Sequence, residues 1–126
     1  MNPREYKYTK EHEWVFIESG RVSKIGITDY AQSKLGDIVF LELPSVGTKV
    51  NQFDKVGEIE SLKAVNDIFT PVSGKVLNVN QSVINDPGIV NSDPYRNGWL
   101  VKLEISDLTE FDSLMSSEEY DRYIGL

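Results

Sequence analysis

The sequence is organised around one lysine, which lies near the middle of the run Gly57-Glu58-Ile59-Glu60-Ser61-Leu62-Lys63-Ala64-Val65-Asn66-Asp67-Ile68-Phe69-Thr70-Pro71-Val72-Ser73-Gly74. Residues 55–59 and 67–72 form β-like runs on its two sides, and a proline and a glycine mark the turn that follows. This pattern predicts that Lys63 lies at the tip of a hairpin, with its ammonium group in water. Most exposed lysines are only surface charges. Whether Lys63 is also an attachment point for a longer arm therefore depends on evidence from the rest of the sequence.

Short strand-like runs of this kind recur along the whole chain. The last of them alternates cleanly, since Val101, Leu103 and Ile105 share one face and charged residues take the other. The runs are residues 14–17, 21–27, 38–43, 55–59, 68–69, 74–79 and 99–105. Many short strands separated by turn residues predict an all-β sandwich or barrel. Because no low-complexity linker interrupts them, we expect a single domain that covers residues 1–126.

The predicted helices are few and short. One covers residues 30–35, where Thr28 and Asp29 cap its start and Gly36 ends it. Two C-terminal helices are predicted to begin at capping boxes, which pair Asp107 with Glu110 and Ser116 with Glu119. The apolar residues of these helices recur at helical spacing, which indicates faces that pack against the sheet.

The composition disfavours several classes of function. The 126 residues carry a net charge of −7, so phosphates would be repelled and neither nucleic acid nor an anionic membrane is an expected partner. Cysteine is absent and His12 is the single histidine, which leaves no basis for a disulfide, a cysteine nucleophile or the usual metal sites. No apolar run approaches membrane-spanning length and the first residues do not resemble a signal peptide. We therefore expect a cytoplasmic location and, for an acidic chain of this size, a monomer.

Several motifs along nearly the whole chain match one known family in order and spacing. They are Lys7-Tyr8-Thr9-Lys10-Glu11-His12-Glu13-Trp14, Ile25-Gly26-Ile27-Thr28-Asp29-Tyr30-Ala31-Gln32, Leu35-Gly36-Asp37-Ile38-Val39-Phe40, Leu43-Pro44, Glu60-Ser61-Leu62-Lys63-Ala64, Pro71-Val72-Ser73-Gly74, Val79-Asn80, Asn91-Ser92-Asp93-Pro94-Tyr95 and Gly98-Trp99. Together they resemble the H protein family of the glycine cleavage system, whose members are lipoyl carriers. The resemblance implies a barrel-sandwich hybrid of the lipoyl- and biotinyl-carrier type, with short peripheral and C-terminal helices.

The resemblance also implies a covalent cofactor, which is lipoate in amide linkage to Lys63. The lysine stem and the lipoyl chain would form one tether with a reach of about 10–15 Å. In the family's cycle, this arm takes an aminomethyl group from the pyridoxal-phosphate-dependent glycine decarboxylase and passes it to the tetrahydrofolate-dependent aminomethyltransferase. Dihydrolipoyl dehydrogenase then reoxidises the arm, and a separate lipoate-attaching enzyme installs it. The chain would thus be a carrier with no catalytic residues of its own.

The resemblance further implies a cleft that shelters the loaded arm. In the family this cleft is built by the segment that matches His12, Glu13 and Trp14, and by the aspartate four residues after the lysine, here Asp67. We expect Glu13 and Asp67 to accept hydrogen bonds from the amino group, because a sheltered ammonium needs acceptors. The alternatives are that Glu13 is a surface charge at the start of a strand and that Asp67 only shapes the turn. His12 is expected to orient neighbouring backbone, and Trp14 to lie in the core.

Other functions of an exposed lysine give competing interpretations. A lipoyl domain of a 2-oxoacid dehydrogenase complex would be tethered by flexible linkers, and a biotin carrier would have methionines where Leu62 and Ala64 stand. An enzyme that forms a Schiff base needs a desolvated lysine, which a polar hairpin tip does not offer. A lipoyl relay protein, which hands its attached group to other lipoyl proteins, would have nearly the same sequence and remains an alternative.

Overall fold

The computed structural model describes residues 2–126, and short antiparallel strands dominate this part of the chain. The strands are β1 (Lys7–Tyr8), β2 (Glu13–Ser19), β3 (Val22–Ile27), β4 (Ile38–Glu42), β5 (Lys49–Val50), β6 (Lys55–Ser61), β7 (Val65–Phe69), β8 (Gly74–Val79) and β9 (Val101–Ile105). The helices are α1 (Asp29–Leu35), α2 (Gln81–Asn85), α3 (Gly88–Ser92), α4 (Leu108–Asp112) and α5 (Ser117–Tyr123).

The strands form two sheets, and the main core takes side chains from both. The larger sheet has the order β1-β2-β3-β9-β8-β5, and the smaller one has the order β4-β6-β7. Val101, Leu103 and Ile105 of β9 are all buried, as their alternation predicts, and they share a core with Leu41 and Ile59 of the smaller sheet. The predicted all-β fold of the barrel-sandwich type with short helices is confirmed, and the described strands form open sheets, not a closed barrel.

The predicted ends of α1 are confirmed by its capping contacts. The side-chain oxygen of Thr28 accepts a hydrogen bond from the backbone N–H of Ala31 at 3.2 Å. Gly36 ends the helix with a φ of 78°, a backbone conformation that costs glycine little. These two caps fix where the polypeptide leaves α1, immediately beside the hairpin that contains Lys63.

Of the two predicted capping boxes, one is confirmed and one is wrong. Ser116 and Glu119 exchange both hydrogen bonds at the start of α5. Asp107 does cap α4 through the N–H of Thr109, but Glu110 does not complete the box. Its carboxylate instead accepts hydrogen bonds from the backbone and side chain of Ser73, at 2.7 and 2.9 Å. A tertiary contact to the turn before β8 has replaced the local one.

Four short elements were not predicted from the sequence. Strands β1 and β5 have two residues each, too few for an alternation pattern, and helices α2 and α3 have five residues each, too few for a helical one. Tertiary partners create them instead. For example, Lys49 and Val50 pair with Lys75 and Gly74 at the edge of the larger sheet.

A second, aromatic cluster fixes the N-terminal segment against α5. Trp14 is fully buried, as predicted, and its indole N–H donates to the carbonyl oxygens of Ile27 and Pro94, at 2.8 and 3.1 Å. Tyr8 of β1 stacks on Tyr120 of α5 with ring centroids 4.8 Å apart. This cluster holds residues 9–13, which precede and begin β2, in a defined position next to α1.

Candidate functional site

Lys63 lies at the tip of the β6–β7 hairpin, where the sequence placed it. Ser61 closes the tip, because its backbone N–H donates to the carbonyl oxygen of Ala64 at 2.8 Å and its Oγ accepts from the N–H of Ala64 at 3.2 Å. Leu62 and Lys63 are both exposed between these contacts. The backbone of the tip is therefore held firmly, while the lysine side chain projects from it.

The side chain of Lys63 borders a cleft of about 770 Å³. Its Cε lies 3.5 Å from the position that a Cβ would occupy on Gly36, so the lysine passes over the end of α1. The hairpin, α1 and the residues that lead into β2 form the walls. The cleft is lined by Glu11, His12, Glu13, Ile27, Tyr30, Ala31, Lys34, Leu35, Ile59, Lys63, Ala64, Val65, Asn66, Asp67 and Phe69. All four of the residues singled out from the sequence, His12, Glu13, Lys63 and Asp67, thus lie around one cavity.

Glu13 forms a buried part of the cleft wall. Only 3% of its surface is exposed, so it is not the surface charge that one interpretation of the sequence allowed. Its Oε1 accepts a hydrogen bond from Thr9 Oγ1 at 2.7 Å, and its Oε2 accepts one from the backbone N–H of Phe69 at 3.2 Å. A carboxylate has about four acceptor positions, so these two contacts leave room for a further donor from the cleft. Glu13 also joins the N-terminal segment to β7.

Burial raises the pKa of the Glu13 carboxyl to about 7, while the hydrogen bonds from Thr9 and Phe69 act in the opposite direction. A buried carboxylate is costly because it loses its hydration. A cation brought into the cleft would favour the ionised form and so lower this pKa. The charge state of Glu13 is therefore expected to respond to what the cleft contains.

This raised pKa predicts a specific pH dependence of stability. Between the ordinary glutamate pKa of about 4.3 and a value of about 7, the folded chain keeps a proton on Glu13 that the unfolded chain has released. The stabilisation from this group is thus complete below the lower value and is lost as the pH rises to about 7, by an amount on the order of a few kcal/mol. Urea unfolding of the wild type and of Glu13→Gln at pH 5 and pH 8 measures it.

We expect the loss of stability between these two pH values to be smaller in Glu13→Gln, since the amide does not titrate. Glu104→Gln is the control, because Glu104 is exposed on β9 and does not line the cleft. Equal pH dependence in the wild type and Glu13→Gln would contradict the assignment of the titration to Glu13.

His12 is anchored through both its backbone and its ring. Its φ is 71°, its carbonyl oxygen accepts the N–H of Thr28 at 3.0 Å, and its Nδ1 lies 2.8 Å from the hydroxyl of Tyr120. Burial lowers the pKa of the imidazole, which favours the neutral ring. These contacts suit the positioning role expected from the sequence. His12 directly precedes Glu13, and it is hydrogen-bonded to Thr28, the cap of α1, and to Tyr120 of α5.

Asp67 lies within β7 and not in the turn, so the suggestion that it only shapes the turn is wrong. It is exposed and forms an ion pair with Lys55 at 3.2 Å, and Lys55 also pairs with Glu58 at 3.0 Å. Exposed pairs of this kind contribute little to stability. The Asp67 carboxylate, paired with Lys55, thus lies on the open side of the cleft, whereas Glu13 lies on its buried side.

Comparison with known proteins gives the same family as the motifs. The profile of the family described as glycine cleavage H-protein matches residues 6–125. The chain belongs to this family. A glycine cleavage system H protein of Carboxydothermus hydrogenoformans is 50% identical over 122 residues, which is 97% of this chain and 93% of that one. One of Staphylococcus saprophyticus is 50% identical over 123 residues, which is 98% of this chain and 97% of that one.

The fold agrees with a solved structure of the same family. A crystal structure of a glycine cleavage system H protein from Mycobacterium marinum covers 99% of this chain with a TM-score of 0.90, at 35% identity, and the match spans 100% of that chain. Within residues 2–126, no helix is long and apolar enough to cross a membrane. The same residues contain no group of three or more histidine or acidic side chains arranged to hold a metal ion.

The wall that α1 contributes to the cleft was missed by sequence reasoning. Tyr30, Ala31 and Lys34 line it from one face of the helix, and the ammonium of Lys34 lies 5.3 Å from the centre of the Tyr30 ring. The sequence does contain a pattern for this wall, since Ala31 and Lys34 follow Tyr30 by one and four positions and the three lie on one side of the helix. It was not used because nothing local in the sequence places α1 against the hairpin.

Proposed function

We propose that the protein is the aminomethyl carrier of the glycine cleavage system, that it bears lipoate on Lys63, and that it is not itself an enzyme. The observation that carries the proposal is the position of Lys63: its amine is exposed on a closed hairpin and lies at the border of a cleft with a buried carboxylate. Membership of the H protein family supports the same role.

The surroundings of Lys63 fit the attached group. An exposed primary amine can be acylated, and a tether of about 10–15 Å can turn from solvent into the neighbouring cleft. When bound, lipoate supplies a disulfide that takes up and releases a carbon fragment by thiol–disulfide chemistry. The chain's own contribution is to position this arm and to receive its end.

Two side chains of the cleft would receive a cationic amino group, and a third would hold one of them in position. Glu13 offers its free acceptor positions on the buried side, and Asp67 offers a carboxylate on the open side. His12 holds the segment that carries Glu13 in place. An ammonium that contacts Glu13 would be shielded from water by the aromatic and apolar residues of the wall, which slows hydrolysis of a labile carbon–sulfur bond.

The proposal implies several partner enzymes. Glycine decarboxylase would load the arm, aminomethyltransferase would unload it, dihydrolipoyl dehydrogenase would reoxidise it, and a lipoate-attaching enzyme would install it. A carrier must expose its arm to each of them in turn, which agrees with the projecting position of Lys63. We propose that it does so as a cytoplasmic monomer.

The deciding experiment is intact-mass and peptide mass spectrometry of the protein from cells grown with and without lipoate. We expect a lipoyl-sized increment on the peptide that contains Lys63. A biotin-sized increment, or a lipoyl group on another lysine, would contradict the proposal. A lipoyl domain of a 2-oxoacid dehydrogenase is disfavoured by the family match. A lipoyl relay role is separated from glycine cleavage by testing whether the lipoyl group on Lys63 is transferred to a second lipoyl protein.

A further inference from the structure

A group of exposed apolar side chains lies on β4 and around the hairpin tip, and of these only Val65 also lines the proposed arm cleft. They are Val39, Phe40, Leu62 and Val65, and we call them the tip face. Phe40 of β4 pairs with Glu60 of β6, which pairs with Val65 of β7, so these three side chains lie in one row on the same side of the smaller sheet. Leu62 extends the row to the lysine, since its N–H donates to the carbonyl oxygen of Asp37 just before β4.

Contiguous exposed apolar side chains can mark a site of interaction with another protein. Leu62 is 76% exposed at the hairpin tip and Phe40 is 53% exposed on β4, and both positions could have carried polar residues at no cost to the core. Aromatic side chains in such positions are frequent anchors of protein interfaces. The tip face is therefore a candidate docking surface, and its location next to Lys63 limits what can dock there.

Acidic residues border the tip face on one side and indicate the charge of the partner. The next row on the same side of the sheet consists of Glu42, Glu58 and Asp67, and Glu60 lies within the tip face itself. Of these carboxylates, Glu58 and Asp67 share the ammonium of Lys55. An apolar patch with this border fits a partner whose own apolar pocket is lined at its rim by lysine and arginine.

We propose, on the basis of the proposed lipoyl function, that the tip face is the docking surface for the enzyme that acylates Lys63. The length of the side chain that an enzyme must reach decides how closely that enzyme approaches the hairpin. An unmodified lysine extends only about 6 Å from its Cα. The active site of the acylating enzyme must therefore approach the hairpin closely, so that the enzyme contacts the side chains around Lys63. Enzymes that act on the end of the completed arm work about 10–15 Å away and have no such requirement.

The reaction at this interface is ordinary amide formation. The unprotonated amine of Lys63 attacks the carbonyl carbon of lipoate that ATP has activated as the adenylate. The new C–N bond forms, the C–O bond to AMP breaks, and the amine releases its proton. None of the tip-face side chains takes part in this chemistry, so they contribute binding and orientation only.

The test compares the rates at which a bacterial lipoate–protein ligase acylates apoprotein variants with lipoate and ATP. We expect Phe40→Ser and Leu62→Ser each to lower kcat/KM about tenfold or more, mainly through KM. Phe53→Ser is the matched control: Phe53 is 55% exposed, close to the 53% of Phe40, but it precedes β6 at the opposite end of the hairpin. It should stay within about twofold of the wild type. Phe40→Tyr, which keeps the ring, should restore most of the rate.

A second measurement separates docking from changes in the hairpin itself. The N-hydroxysuccinimide ester of lipoate, a small reagent that needs no docking, should acylate Lys63 equally in Phe40→Ser and the wild type by peptide mass spectrometry. A parallel fall in this reaction, or equal enzymatic rates for Phe40→Ser and Phe53→Ser, would overturn the inference.

Two further outcomes distinguish this inference from its alternatives. Failure of the wild type to be acylated at Lys63 would overturn the proposed function together with the inference. If Phe40→Ser is acylated normally but the modified variant is a poor substrate of glycine decarboxylase, the tip face belongs to that enzyme instead and only the inference falls.

Discussion

Replacement of Lys63 by arginine is expected to reduce glycine cleavage in a reconstituted system to the background measured without the carrier. A guanidinium group remains protonated at any physiological pH and has no free electron pair with which to form an amide. The positive charge and much of the side-chain volume are kept, so the fold should be unchanged, since Lys63 is exposed and makes no buried contact. The measurement is release of labelled CO2 and formation of methylenetetrahydrofolate from glycine, with the other three enzymes in excess.

The control for this substitution is Lys75→Arg. Lys75 is exposed on β8 in the larger sheet, outside the cleft and the tip face, and its replacement should leave the reaction rate unchanged. Thermal unfolding of both variants verifies that the fold is intact. Sustained glycine cleavage by Lys63→Arg would contradict the proposed function, because the arginine cannot carry an amide-linked arm.

The hairpin was predictable because its signals are local. Strand-like runs on both sides of Lys63, with turn residues beyond them, are sufficient to predict a lysine at a tip, and Thr28 and Gly36 are sufficient to bound α1. Hairpin tips and helix ends depend on residues that lie close together in the sequence. The structure agrees with both predictions.

The interior of the cleft was only partly predictable, because it is made by contacts between distant segments. Nothing local indicates that Glu13 is buried, since its burial follows from the contact with Phe69, a residue 56 positions away along the chain. Glu110 was mispredicted for the same reason, because a contact with the distant residue Ser73 replaces the capping role that its local sequence indicates. The resemblance to a family brought Glu13 and Asp67 to attention, but only the structure separates the buried carboxylate from the exposed one.

Removal of the Glu13 carboxylate is expected to shorten the lifetime of the aminomethyl group on the loaded protein. In the structure Glu13 is the buried acceptor of the cleft, and Asp67 is exposed and already paired with Lys55. A hydrogen bond to a charged group contributes about 1.5–3 kcal/mol, so Glu13→Ala should accelerate release of a labelled aminomethyl group by about 10- to 100-fold. The measurement is the appearance of labelled formaldehyde in buffer after the loaded carrier has been separated from glycine decarboxylase.

Two comparisons separate the charge of Glu13 from its structural contacts. Glu13→Ala also leaves the N–H of Phe69 and the hydroxyl of Thr9 without their acceptor, which should lower the free energy of unfolding by about 1–3 kcal/mol. Glu13→Gln keeps most of the shape and one acceptor oxygen but loses the charge. It should therefore release the label almost as fast as Glu13→Ala while unfolding closer to the wild type. Glu104→Ala, at an exposed position on β9, is the control with normal retention. If Glu13→Gln retains the label as the wild type does, the carboxylate does not bind the ammonium, and Glu13 serves only to join the N-terminal segment to β7.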